Sequence, residues 1–159
     1  MAFYQIHKSQ KVNCSLDEIW EFISTPKNLK EITPDYMGFD ITSKDSPEKM
    51  YPGLIITYKV SPLLGITTNW MTEITQVHNK KFFIDEQRVG PYKLWHHQHF
   101  VEEIEGGVLM RDIVTYQPPF GILGAIMNSL VIRKKLKEIF DYRFKALEMK
   151  YGVFEEKHG

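Results

Sequence analysis

ILGAIMNSLVIRKKLKEIFDYRFKALEMKY, residues Ile122–Tyr151, contains no proline, and its apolar residues recur at near-helical spacing. Ile126, Leu130, Ile132, Leu136, Ile139, Phe140, Phe144 and Leu147 form a broad stripe, while Lys134, Lys135, Lys137, Glu138, Asp141, Lys145 and Glu148 cover much of the opposite side. At ~3.6 residues per turn this predicts a terminal helix of roughly seven turns. Almost everything before it reads differently. Phe3–Asn13 alternates enough for a first strand. Ser15-Leu16-Asp17-Glu18 has the form of a capping box, which predicts a short helix over 16–24. Thr25-Pro26 opens a second short helix that Pro34 ends. Six further strands follow in meander: Phe39–Thr42, Leu54–Val60, Trp70–Val77, Lys81–Arg88, Tyr92–Glu105 and Val108–Gln117. The fold class is therefore α+β, a seven-stranded antiparallel sheet with one long helix. An antiparallel sheet has two faces and one amphipathic helix covers only one. A curved sheet wraps around that helix, and the gap between them is expected to be a ligand cavity.

Composition narrows the classes. The chain has 159 residues and no linker, so one domain over 1–159 is expected. Lys+Arg and Asp+Glu are both 20, giving zero formal net charge. Binding driven by phosphate neutralisation needs a basic excess, so no nucleic-acid partner is expected. A lone cysteine, Cys14, cannot form an internal disulfide and fits a reducing compartment. The N-terminus MAFYQIHKSQ lacks the pattern of a signal peptide, and no apolar run approaches the ~20 residues of a bilayer span. A cytoplasmic protein without stable membrane insertion is the expectation.

The unusual chemistry lies between Asp85 and Tyr116. On one strand Trp95, His97, His99 and Val101 share a face, and His96 points the other way as a surface histidine. With Gly106-Gly107 as the hairpin turn, His99 faces Val114 and His97 faces Tyr116, leaving Asp112 diagonal to His99. Phe83, Asp85 and Gln87 alternate toward the same side across the other hairpin. Three readings stay open: a buried polar network, a set that orients a ligand, or acid–base or metal chemistry. His-x-His lacks a third ligand at diagnostic spacing, so neither a metal nor a cofactor is expected. No nucleotide-binding glycine motif and no G-x-S-x-G occurs. Arg133-Lys134-Lys135 with Lys137 is either a solvated helix face or a site for an acidic partner or lipid headgroup. Arg143 either reaches inward or pairs with an acid. The apolar tip Pro62-Leu63-Leu64-Gly65-Ile66 covers a cavity mouth or packs on a second subunit, which leaves a homodimer open.

Gly90-Pro91-Tyr92-Lys93-Leu94-Trp95-His96-His97-Gln98-His99 resembles the G-P-aromatic-x-x-W-x-H-x-H signature of uncharacterised bacterial proteins in the START/polyketide-cyclase/birch-allergen superfamily. Leu29–Pro34, Phe83–Gln87, Asp112 to Pro119 and Ile139–Arg143 extend the likeness over nearly the whole chain. Val101 and His96 depart from it, standing where relatives tend to have an aromatic and an acid. The resemblance implies the helix-grip fold, with two short helices closing one end, and binding of hydrophobic or amphipathic molecules; a minority of the superfamily are enzymes. On that basis Trp70, Phe83, Trp95, Tyr116, Ile126, Leu130 and Phe140 are expected to wall a cavity. His97, His99 and Asp112 would orient the ligand's polar end, and Asp85 and Gln87 are further expected ligand-binding residues. The expected function is non-catalytic binding of a small hydrophobic or amphipathic molecule. The rivals are a cyclase or dehydratase using His97, His99, Asp112 and Tyr116, and an interaction module.

Overall fold

The computed structural model describes residues 2–44, 47–63 and 65–156. Strand β1 (Tyr4–Val12) leads into helix α1 (Leu16–Ile23). The Ser15 hydroxyl accepts from the Glu18 N–H while the Glu18 carboxylate accepts from the Ser15 N–H, so the predicted capping box is formed. The second short helix is a 3-10 segment, Pro26–Ile32, followed by a single 3-10 turn at Asp35–Met37. Its apolar face is too short to support several α-helical turns. Strands β2 (Asp40–Ile41), β3 (Ile55–Leu63), β4 (Ile66–His78), β5 (Phe82–Val89), β6 (Leu94–Ile104) and β7 (Gly107–Gln117) then form the meander. The first strand returns to the far edge, giving the order β1-β7-β6-β5-β4-β3-β2, antiparallel throughout. Leu64 of the apolar tip lies outside the described residues; Pro62 before it reaches the inner wall and Ile66 after it is exposed.

Register shifts along β3, β4 and β5, at Val60/Leu63, Met71/Thr72 and Ile74/Gln76, mark bulges that bend the sheet. The concave face holds the C-terminal helix, which is 31 residues long. It begins as α2 (Gly121–Met127), passes through a π-helical turn at Asn128–Ile132, and continues as α3 (Arg133–Tyr151). Its buried residues are Gly124, Asn128, Ile132, Leu136, Phe140 and Leu147. A spacing of four drifts around a regular helix, and the wider π turn brings Ile132 and Leu136 back to the sheet.

Ile126 and Leu130 are therefore on the solvent side, not the cavity wall. Their inward positions are taken by Gly124 and Asn128, for reasons that lie elsewhere in the chain. A Cβ on residue 124 would come within 1.9 Å of the Pro119 carbonyl oxygen, so only glycine lets the helix close on that segment. Asn128 Oδ1 accepts the Tyr116 O–H at 2.7 Å.

Two apolar clusters meet between sheet and helix. One gathers Ile19, Trp20, Phe83, Val108, Met110 and Leu147 under α1. The other gathers Val60, Trp70, Tyr92, Val114, Tyr116, Leu136 and Phe140 under α3. The candidate site lies at their seam.

Candidate functional site

The β6–β7 hairpin closes with Ile104 opposite Gly107, so the turn is Glu105-Gly106, with Gly106 at φ +82°. This differs by two residues from the expected pairing. Because side chains alternate with a period of two, every inward residue stays inward. The consequence is chemical. Asp112 now sits directly opposite His99, Val114 opposite His97, and Tyr116 opposite Trp95. On the other flank Asp85 is opposite His97 and Phe83 opposite His99.

Two imidazoles thus stand between two carboxylates. His97 Nε2 donates to Asp112 Oδ1 at 2.9 Å, and His99 Nε2 donates to Asp85 Oδ2 at 2.6 Å. The rings lie on each other with centroids 3.6 Å apart, and Phe83 extends the stack with its ring 4.1 Å from that of His99. Arg143 arrives from α3, its Nη1 3.4 Å from Asp112 Oδ1. It reaches inward and meets an acid, so the two readings of this residue are both realised.

All five groups are largely withdrawn from water, and their charges settle one another. Burial favours a neutral Asp112, but the Arg143 guanidinium and the two imidazoles outweigh it and hold the carboxyl well below its ordinary range. Burial likewise acts against ionised Asp85, and the His99 hydrogen bond with the nearby cations brings its pKa below ordinary. His97 is pushed down by burial and by its charged neighbour His99. Burial alone would push His99 down too, yet the Asp112 and Asp85 carboxylates on either side raise it. These directions favour ionised carboxylates and place a proton taken up by the ring pair on His99 before His97; with the Arg143 guanidinium, that arrangement carries no net charge. A buried ionic group is tolerable in that condition and costly outside it. Two donors stay unused: Arg143 Nε and Arg143 Nη2 have no hydrogen-bond partner among the described residues, while His99 Nδ1 lies 3.1 Å from Asp112 Oδ1.

Asp85, His97, His99 and Arg143 of the cluster line a cavity of about 160 Å³. The remaining wall is aromatic and aliphatic: Tyr58, Trp70, Tyr92, Trp95, Ile56, Ile74, Leu136 and Phe140 all line it. Trp70 meets Trp95 edge-on at 5.4 Å and stacks on Tyr58 at 6.0 Å. The polar tips of two of these rings are already engaged. Trp70 Nε1 donates to Thr72 Oγ1 at 3.1 Å, and the Tyr58 hydroxyl is 3.0 Å from the same oxygen. That side of the cavity is consequently apolar.

Of the residues expected to contact a ligand, Trp70, Phe83, Asp85, Trp95, His97, His99 and Phe140 are brought together on this wall. Asp112 lies one layer behind the histidines. Tyr116 is fully buried and donates to Asn128, so its hydroxyl is spent away from the cavity. Gln87 is also off the wall. Its side chain accepts from the Tyr92 N–H and donates to the Tyr92 carbonyl, clamping the Gly90–Tyr92 corner that presents the Tyr92 ring. Tyr58, Tyr92, Met37 and Met50 line or bound the cavity without having been singled out. Two of them carried a usable signal: Tyr58 alternates inward with Ile56 and Val60 on β3, and Tyr92 is the aromatic after Gly90-Pro91. His96 sits on the outer face 2.7 Å from Glu86, as a surface histidine should.

A metal ion is conceivable at Asp85, His97 and His99, whose ligand atoms lie within 4.8 Å of one another. The fit is poor. His99 Nε2 and His97 Nδ1 approach the same Asp85 oxygen, at 2.6 and 3.7 Å, and the Arg143 guanidinium already supplies positive charge beside the Asp85 and Asp112 carboxylates. A metal ion would have to displace contacts the cluster makes with itself.

No family model matches the chain, and no curated protein matches it in sequence. Solved structures do. The KanY protein (ms6282) superposes with a TM-score of 0.71 at 12% identity, covering 95% of this chain and 99% of that one. Ara h 8.0201 superposes with a TM-score of 0.63 at 13% identity, covering 94% of this chain and 98% of that one. The di-domain ARO/CYC BexL, from the BE-7585A biosynthetic pathway, matches at 0.70 and 12% identity; the alignment covers 96% of this chain and 51% of BexL. Identity this low carries the architecture and nothing finer: the chain has the helix-grip fold of these structures, a curved antiparallel sheet around a long C-terminal helix.

Proposed function

We propose that the protein binds a small amphipathic molecule between sheet and C-terminal helix, without transforming it. The observation that carries this reading is the make-up of the cavity lining: a largely aromatic and aliphatic wall into which the Asp85–His97–His99–Arg143 group is set. Few polar groups placed in an apolar pocket fix the orientation of a guest more than they supply its affinity. The volume of about 160 Å³ sets the scale of that guest. It is near the ~150 Å³ of an engineered apolar cavity that takes benzene, so one ring with a polar substituent is the expected size. The unused Arg143 donors favour an acceptor, such as a carbonyl or carboxylate, at the ligand's polar end.

An acid–base enzyme keeps one supporting observation, the His97–Asp112 pair, which sets the tautomer of a neutral imidazole on the cavity wall. It loses Tyr116 as a proton donor. The two readings separate in one experiment. Thermal unfolding is followed against a panel of small aromatic and aliphatic compounds, with native mass spectrometry of protein purified from several hosts. A saturating ligand at ~100 times its Kd adds about 2.7 kcal/mol. At ~2–4 °C per kcal/mol for a domain of this size, the midpoint should rise by roughly 5–11 °C. The bound compound should be recovered unchanged; recovery as product would make the protein an enzyme. No stabilisation by any compound and no bound species from any host would end the binding reading.

A further inference from the structure

The first half of the C-terminal helix is inverted. Its inward positions hold glycine and asparagine, while Ile122, Leu123, Ile126, Met127 and Leu130 face solvent together with Phe120 just before it. Phe120 is 81% exposed, Ile122 83% and Leu130 70%. A helix whose one task was to cover the sheet would bury its large apolar side chains and expose its polar ones. An apolar patch of this kind on a folded surface marks a contact with something else.

Charge says what that something is. One turn beyond Leu130, Arg133 and Lys134 are exposed and form no ion pair among the described residues. From Ile113 to Lys137 the sequence contains neither aspartate nor glutamate, in a chain whose overall charge is zero. A second copy docking through this face would bring cations toward cations with no acid to answer them. An anionic lipid surface answers both features at once.

We propose that this face docks on an anionic bilayer. Phe120, Ile122, Leu123, Ile126 and Leu130 enter the boundary between headgroups and acyl chains, and Arg133 and Lys134 rest against the anionic headgroups. The helix lies in the interface and does not span it, since no helix among the described residues is long and apolar enough to cross a membrane. The same helix, continuing as α3, lines the cavity through Leu136, Ile139 and Phe140.

The test is co-flotation with vesicles of phosphatidylcholine alone and of phosphatidylcholine mixed with phosphatidylserine. The protein should float with the mixed vesicles and only weakly with the neutral ones, and added salt should release it. Replacing Arg133→Gln or Lys134→Gln should weaken partition about five-fold each. Ile122→Ser combined with Leu130→Ser should abolish it while circular dichroism and the unfolding midpoint stay those of the parent. Met149→Ser, at the exposed far end of the helix, should leave it unchanged. Absence of flotation, or equal flotation with both lipids, would overturn the proposal. So would a lipid-free dimer, seen by sedimentation equilibrium, that Leu130→Ser dissociates while vesicle binding persists; that result would assign the face to a second copy.

Discussion

Asp112 touches both histidines and the arginine, and its position explains why none of them behaves as an isolated group. Removing it leaves the buried Arg143 cation without its ion-pair partner, with Asp85 the more distant carboxylate of the cluster. Breaking a buried pair from one side costs about 3–5 kcal/mol, so Asp112→Ala should lower stability in urea by that amount, whatever the ligand does. The histidines give a finer measure. By NMR, His99 should titrate above the ordinary ~6.5 and His97 below it. The carboxylates flank both rings, but His97 also carries the burden of a charged neighbour stacked on it. Asp85→Asn should bring the two titrations closer by removing the negative charge on the acceptor of the His99 hydrogen bond. Two midpoints already equal in the parent would contradict the charge assignment.

At the scale of elements, the C-terminal helix shows how tertiary contacts override a periodic signal. The pattern Ile126, Leu130, Ile132, Leu136 is a fair helical stripe, and its second half is indeed buried. In the first half the partners decide. The Pro119 carbonyl leaves no room for a side chain at 124, and the Tyr116 hydroxyl requires an acceptor at 128. Gly124→Ala gains up to ~1 kcal/mol of helix propensity. It also forces a methyl group into backbone, and overpacking of that kind costs about 1–3 kcal/mol. The sum should be a destabilised protein with a lower denaturation midpoint; a stabilised one would mean that the helix start does not seat against Pro119. The β6–β7 hairpin teaches the complementary lesson. Two candidate turns, Gly106-Gly107 and Glu105-Gly106, differ by a shift that keeps every face, so alternation could not choose between them. The shift nonetheless decides which ring Asp112 opposes.

For the molecule as a whole, the buried cluster sets the response to pH. Asp85 and Asp112 titrate lower in the folded chain than in the unfolded one. Their contribution is therefore complete above the unfolded value of ~3.9 and is lost as pH falls through that value toward the folded one. His99, raised on folding, contributes below ~6.5 and loses that contribution as pH rises through its folded pKa; His97, lowered, acts in the opposite sense. The two offset each other. Thermal unfolding should accordingly show a steep loss of stability below about pH 4 and a shallow dependence around neutrality. Asp112→Asn should flatten the acid limb. A steep transition near the ordinary histidine pKa, with no acid limb, would show that the carboxylates are not the controlling groups.

Sequence alone determined what depends on near neighbours along the chain: the capping box at Ser15, the alternation that puts Trp95, His97, His99 and Val101 on one face, the meander, and the long final helix. Such features follow from a few residues' dihedral preferences and from where their side chains point. Tertiary structure decided what depends on groups brought from far away. The hairpin register paired His99 with Asp112, Asp85 arrived from the adjoining strand to face the same rings, and Arg143 came from the helix to neutralise them. Pro119 and Tyr116 chose which side of the helix turned inward and so left its apolar side out. Close packing and charge compensation act through space, and no window of sequence contains both partners.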